Sequence, residues 1–205
     1  MGLEILLATN NQGKVERYRR LAKQINPAII LHTLKDFNVD AVEVKEDGNL
    51  DENAKKKAQA YLGKTSLPVL ANDAGFFVEG EGLIKNPKRI ALNSDENNLS
   101  KEQIYQSLIH YWQNIAKKSG GAVDAAWIDE FVLCMPDGNA YTEGARREVI
   151  LTDKVFGESH VQFPMRALYI SKTTNKPAAS HTKEEELLEV APIKDALAKL
   201  FEKIK

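Results

Sequence analysis

Leu3-Glu4-Ile5-Leu6-Leu7-Ala8-Thr9-Asn10-Asn11-Gln12-Gly13-Lys14 joins an apolar run to a polar turn, and a helical pattern follows the lysine. The order reads as a buried strand, a turn and a helix. It gathers backbone N–H groups and one ammonium at the end of the strand, where an anion can be held. The residue types suit a phosphate, although the run is neither GxxxxGK[ST] nor GxGxxG. An ordinary strand–turn–helix with an exposed lysine has the same spacing.

Working outward, Gly2 to Ala8 reads as a strand and Lys14 to Gln24 as a helix, with Val15, Tyr18 and Leu21 or Ala22 at helical spacing. Ala28 to Leu34 is a second apolar, β-branched run, so the chain opens as a βαβ unit. Asp51 to Leu62 reads as a helix whose first turn holds Asp51 and Glu52, favourable at the positive end of the helix dipole. Leu67 to Ala71 is a short strand, with Pro68 at its start, running into Asn72-Asp73-Ala74-Gly75. Glu79 to Asn98 reads as loop, and Ser100 caps a helix reaching about Lys118. Ala122 to Met135 and Ala140 to Leu151 are strands joined by the hairpin signal Pro136-Asp137-Gly138-Asn139. Met165 to Ser171 reads as a strand and Ala191 to Lys205 as a closing amphipathic helix. This mixture predicts an α/β fold with an antiparallel hairpin, a single domain over residues 1–205 with two lobes.

Composition excludes several classes. With 28 Lys and Arg against 29 Asp and Glu, the net charge of −1 argues against a general nucleic-acid binder. No apolar segment approaches a membrane span, and the first residues lack the basic region of a signal peptide. Met1-Gly2 suggests myristoylation, but Leu6 stands where Ser or Thr is required. A cytoplasmic location is expected. Cys134 is the only cysteine, which excludes an internal disulfide and a multi-cysteine zinc site and suits a small core residue. His32, His110, His160 and His181 form no metal-binding pair.

Four groups of residues carry candidate chemistry. Thr9, Asn11 and Lys14 offer a hydroxyl, an amide and an ammonium around one turn, able to share the oxygens of a polyphosphate. Glu46, Asp47, Asp51 and Glu52 place four carboxylates in seven residues. Such a set can hold Mg²⁺, which prefers oxygen ligands; equally, Asp51 can cap the helix and Glu52 can pair with Lys56. Asp73 stands at the carboxyl end of a strand, where ligands collect in α/β sheets, within residues that also favour a plain β-turn. Lys55, Lys56 and Lys57 point in different directions on a helix, so at most one or two face a common site.

Three segments in this order resemble the inosine triphosphate pyrophosphatase family, hydrolases of non-standard purine nucleoside triphosphates. Ala8 to Lys14 is similar to the family's ATGNxGK. Glu46 to Ala58 is similar to E-x-G-x-T-x-x-E-N-A-x-x-K-A. Pro68 to Val78 is similar to P-x-x-A-D-D-S-G-L-x-V. The resemblance implies an elongated mixed β-sheet flanked by helices, two lobes with a cleft, and a homodimer. It implies Mg²⁺-dependent cleavage of a nucleoside triphosphate to the monophosphate and pyrophosphate, with no nucleic-acid polymer and no membrane as partner. Carried over by position, Thr9, Asn11, Lys14 and Lys57 bind the substrate phosphates, Glu46 and Asp73 hold the metal, and Asp73 activates the attacking water.

The chain departs from the pattern at several points. Asn10 stands at a family glycine, where Asn tolerates positive φ. Lys45 stands at a position that is often acidic, and Asn72 and Ala74 replace an Asp and a Ser, so weaker metal binding is expected. The base-recognition segments are altered at Gly80 to Pro87, Gly157 to Pro164 and Val190-Ala191-Pro192. Phe163 remains as a residue able to stack on a base. The alternative expectation is therefore a nucleotide-binding member of the same fold with impaired catalysis and altered base specificity.

Overall fold

A computed structural model describes residues 2–92, 98–157 and 163–204. In chain order, the strands are β1 (Leu3–Leu7), β2 (Ile29–Thr33), β3 (Val69–Val78), β4 (Gly82–Ile84), β5 (Ala122–Cys134), β6 (Ala140–Thr152), β7 (Tyr169–Ser171) and β8 (Lys176–Pro177). The helices are α1 (Gln12–Ile25), α2 (Leu50–Tyr61), α3 (Pro87–Ala91), α4 (Lys101–Lys118), α5 (Lys183–Glu189) and α6 (Ala191–Phe201). The strands make an open mixed sheet, and the expected α/β class holds.

The residues group into two compact units. The first comprises residues 1–74, 129–145 and 192–205. Its strand order is β2-β1-β3-β5-β6, and β1 pairs in parallel with both β2 and β3. Ile5, Leu6 and Leu7 are buried one after another. An unbroken buried run is the mark of a parallel strand covered on both faces. Leu6, Ala54, Ala58, Val69, Ala71 and Val132 build its core, together with the buried thiol Cys134, as expected. Burial pushes that thiol's pKa up, which keeps it protonated and inert.

The second unit comprises residues 75–128 and 146–191. Here the order is β3-β5-β6-β7-β8, with β4 antiparallel on β3. Its core is aromatic: Phe76 lies edge-on to both Trp112 and Trp127, among Ile109, Val149, Leu168 and Tyr169. The expected cap at Ser100 is present, accepting from the Gln103 N–H and closed by the Gln103 side chain.

Three local expectations change. Asn72 to Gly75 is not a turn after a short strand but the middle of the ten-residue β3. Residues 164–167 form a 3-10 turn, because Pro164 has no N–H to offer a ladder, and only Tyr169–Ser171 is strand. The stretch read as loop from Glu79 contains β4 and α3, while its residues 93–97 lie outside the described residues. Met1, His160, the rest of 158–162, and Lys205 also lie outside them.

Candidate active site

The site is assembled by β1, α1, α2, the part of β3 up to Ala74, the part of β5 from Asp129 and the irregular segment between Val39 and Gly48, all in the first unit. Ala8 continues β1 by donating its N–H to Leu70 O at 2.8 Å, which sets the turn beside β3. Thr9 Oγ1 accepts from the Asn11 N–H (3.2 Å), and Asn11 Oδ1 accepts from the Lys14 N–H (3.1 Å). Asn11 therefore serves as the N-cap of α1 and starts the helix at Gln12. Asn10 does not need the left-handed conformation of a glycine: among the described residues other than glycine, only Asn38, Asn86 and Asn175 have positive φ.

The start of α2 is fixed by Asn49 rather than by Asp51. Asn49 accepts from the Glu52 N–H, and Glu52 reaches back to the Asn49 N–H. Glu52 is thus spent on the capping box, and Lys56 pairs with Asp47 (2.5 Å) instead of with Glu52. Asp47 also takes Lys45 (3.1 Å), and both lysines hold its pKa below the usual carboxylate range. Gly48 is required by close approach, since an added Cβ would lie 2.4 Å from Glu52 Oε2.

Of the three consecutive lysines, Lys57 faces inward. Its ammonium lies 2.8 Å from Asp73 Oδ1 and 3.0 Å from Glu46 Oε1. Asp73 Oδ2 accepts from Asn53 Nδ2 at 3.1 Å, so both carboxylate oxygens are engaged. Lys14 completes the cluster. Burial lowers its pKa, the carboxylates of Asp129 and Asp73 oppose that shift, and Lys57 adds to it. Two lysines and three carboxylates, from α1, α2, β3, β5 and the irregular segment, thus act on one another. Thr9, Asn10, Lys14, Glu46, Lys57 and Asn72 all line one recess of about 230 Å³.

Asn53 and Asp129 were not singled out from the sequence. Asn53 is buried on the face of α2 that also carries Ala54 and Ala58, and an amide there signals a specific partner. Asp129 is a carboxylate 2% exposed inside an apolar strand, a signal of the same kind. Asn72 is held by donating to Asp73 O (3.0 Å) and Glu130 O (3.1 Å). That fixes which end of its amide is which, and its Oδ1 is buried with no hydrogen-bond partner among the described residues. Burial, followed by Asp51 and Asp129, raises the pKa of the neighbouring Glu130.

The residues fit a hard divalent cation. Glu46 and Asp73 direct two carboxylate oxygens at one position, and Mg²⁺ commonly takes one or two carboxylates with water and phosphate oxygens as its remaining ligands. Among the described residues no group of three or more His, Cys, Asp and Glu side chains could hold a metal ion without such help.

In the second unit, Phe163 stacks on Trp127, with ring centroids 5.6 Å apart and 25° between the planes. The Arg147 guanidinium lies over the Trp127 ring, 5.6 Å from its centroid. His181 is enclosed: Thr174 Oγ1 lies 2.8 Å from Nε2, and Glu189 Oε2 lies 3.0 Å from Nδ1. Val190 and Ala191-Pro192 are the junction of α5 and α6. Among the described residues, no helix is long and apolar enough to cross a membrane.

Comparison with known proteins shows the family and the fold. The model of the Ham1 family matches residues 5–202. A dITP/XTP pyrophosphatase of Geobacter sulfurreducens is 30% identical over 154 residues, covering 75% of this chain and 73% of that protein. One from Staphylococcus epidermidis is 31% identical over 102 residues, covering 48% of this chain and 50% of that protein. The solved structure of the Staphylococcus aureus Ham1 protein matches with a TM-score of 0.68 and 21% identity, over 98% of this chain and 100% of that one. A HAM1 protein from Coxiella burnetii matches with a TM-score of 0.69 and 20% identity, over 98% and 99%. The two structures establish the fold, and the resemblance carried by the three amino-terminal motifs is borne out. With a family model spanning nearly its whole length and a relative 30% identical across three quarters of it, this chain belongs to the Ham1 family.

Proposed function

We propose that the chain is a nucleoside triphosphate pyrophosphohydrolase, cleaving non-standard purine nucleoside triphosphates such as dITP, ITP and XTP to the monophosphate and pyrophosphate with Mg²⁺. The observation that carries this reading is the convergence of Lys14, Lys57 and Glu46 on one recess, with Asp73 bound to Lys57 just behind its lining. In-line displacement at phosphorus needs mainly positioning and charge neutralisation. Lys14 and Lys57 supply two positive charges for the phosphates, and Thr9 and Asn11 hold the turn that presents Lys14. Asp73 aligns the attacking water and accepts its proton. Glu46 and Asp73 would hold the divalent cation, which would supply charge neutralisation and polarisation of the phosphorus centre. Family membership further supports a homodimer and a cytoplasmic location, with a nucleotide rather than a nucleic-acid polymer as the partner.

The test is pyrophosphate release from a panel of nucleoside triphosphates with Mg²⁺. Asp73→Asn should lower turnover by about 10²–10⁴-fold, the usual worth of a general base. Turnover at the wild-type rate in Asp73→Asn would refute the assignment.

A second reading is favoured by Asn72, whose amide occupies a family carboxylate position, and by the engagement of both Asp73 oxygens. It describes a nucleotide-binding member with impaired catalysis. It predicts that nucleotides raise the melting temperature of the wild type while no pyrophosphate appears.

A further inference from the structure

We infer that Lys57 is a built-in competitor of the divalent cation, so that cation and polyphosphate each bind well only in the presence of the other. This rests on the function proposed above and goes beyond it. The ammonium of Lys57 touches Glu46 Oε1 at 3.0 Å and Asp73 Oδ1 at 2.8 Å. Those are the oxygens a hard cation would take, at about 2.1 Å. One point between two carboxylates cannot hold both charges. Asp73 cannot yield by rotating, because Asn53 pins its Oδ2 at 3.1 Å and is itself clamped to both backbone groups of Gly48 (3.0 and 3.2 Å). The long, flexible stem of Lys57 is the part able to move.

Where it can move decides the coupling. Lys57 and Lys14 line the same recess, and Lys57 already adds to the depression of the Lys14 pKa. A cation arriving alone therefore drives one ammonium toward another. A polyphosphate arriving alone draws Lys57 away from two carboxylates that are then left facing each other, and Asp73, the less exposed of the two, loses its cationic partner. Together, the cation keeps the carboxylates and the polyphosphate takes both lysines. The device is a charge exchange in which every group keeps a counter-charge only when both ligands are present.

The test uses the full chain, with Mn²⁺ as the probe cation followed by electron paramagnetic resonance, and inorganic pyrophosphate as the probe anion. Lys57→Met should bind Mn²⁺ alone about tenfold more tightly than the wild type. Pyrophosphate should tighten Mn²⁺ binding by about tenfold or more in the wild type, and by a clearly smaller factor in Lys57→Met. Lys57→Arg, which keeps the charge, should bind Mn²⁺ no more tightly than the wild type. Equal or weaker Mn²⁺ binding by Lys57→Met overturns the inference, even if nucleotide turnover by the wild type upholds the proposed function. If Lys57→Met is too unstable to isolate, Mn²⁺ added during refolding should rescue it, and failure of that rescue also overturns the inference. Absence of turnover with any nucleotide would count against the proposed function instead, whatever the order of the Mn²⁺ affinities.

Discussion

Asn53 Nδ2 lies 3.1 Å from Asp73 Oδ2, and the same side chain accepts from the Gly48 N–H and donates to the Gly48 carbonyl. One buried amide thus joins the acidic segment, the second helix and the strand that bears Asp73. It acts on the site by positioning and touches no part of the recess itself. Asn53→Leu keeps the volume and removes all three bonds. It should cost about 3 kcal/mol in urea unfolding, near 1 kcal/mol for each bond removed. Pyrophosphate release should fall as well, because Asp73 loses the contact that stops it from rotating. A variant as stable as the wild type would show that the amide carries no load.

The depressed pKa of Lys14 makes a statement about protons. Burial is its main cause, so the folded chain holds this proton less tightly than the unfolded chain does. Between the depressed value and the ordinary value of 10.5, the unfolded state binds more protons, and stability contributed by this group rises with pH. A bound polyphosphate reverses the shift by favouring the charged form. Binding of inorganic pyrophosphate within that window should take up a proton, approaching about one from this residue. Isothermal titration in buffers of different ionisation enthalpy measures the uptake, and Lys14→Met should abolish it.

Glu189 is the hub of the second unit. It is 3% exposed, accepts from the Tyr169 hydroxyl at 2.7 Å, and lies 3.5 Å from an Arg147 guanidinium nitrogen and 3.0 Å from His181 Nδ1. Burial, reinforced by Glu189, raises the Tyr169 pKa, so its hydroxyl remains a donor throughout the ordinary pH range. Glu189→Ala should cost about 3–5 kcal/mol in urea unfolding, the expected result of removing one side of a buried ion pair. Tyr169→Phe should cost about 1 kcal/mol, because it removes one bond and leaves the pairing with Arg147 in place. Equal costs for the two variants would show that the carboxylate is not balanced by its cationic neighbours.

Locally encoded features were legible in the sequence. The strand–turn–helix at Leu3 to Lys14, the Ser100 cap and the hairpin at Pro136 to Asn139 all rest on contacts between near neighbours. Asn72-Asp73-Ala74-Gly75 misled because those residue types favour turns, whereas here they join the part of β3 paired with β1 to the part paired with β4 and continue one strand. Asn72 tolerates that place by spending its amide on two carbonyls. Lys57, not Lys56, faces the site because the register of the second helix puts Asn53, Ala54 and Ala58 inward, and that register follows from Asn49 as cap. Asn53, Asp129 and Glu189 were not legible as partners, since each meets side chains far along the chain and burial cannot be read from residue type alone.

Asp73 sits in the interior of a ten-residue strand, while Glu46 sits on backbone that belongs to no helix or strand. The two halves of the candidate cation site therefore differ in how freely a lineage can alter them. Insertions or exchanges between Val39 and Gly48 can reshape the entrance and retune the ion without disturbing the sheet. A one-residue slip in the strand would instead turn Asp73 to the opposite face and bury its charge where nothing answers it. Exchanges in the loop are thus expected to change which cation the candidate site prefers, whereas a shift in the strand is expected to cost the fold.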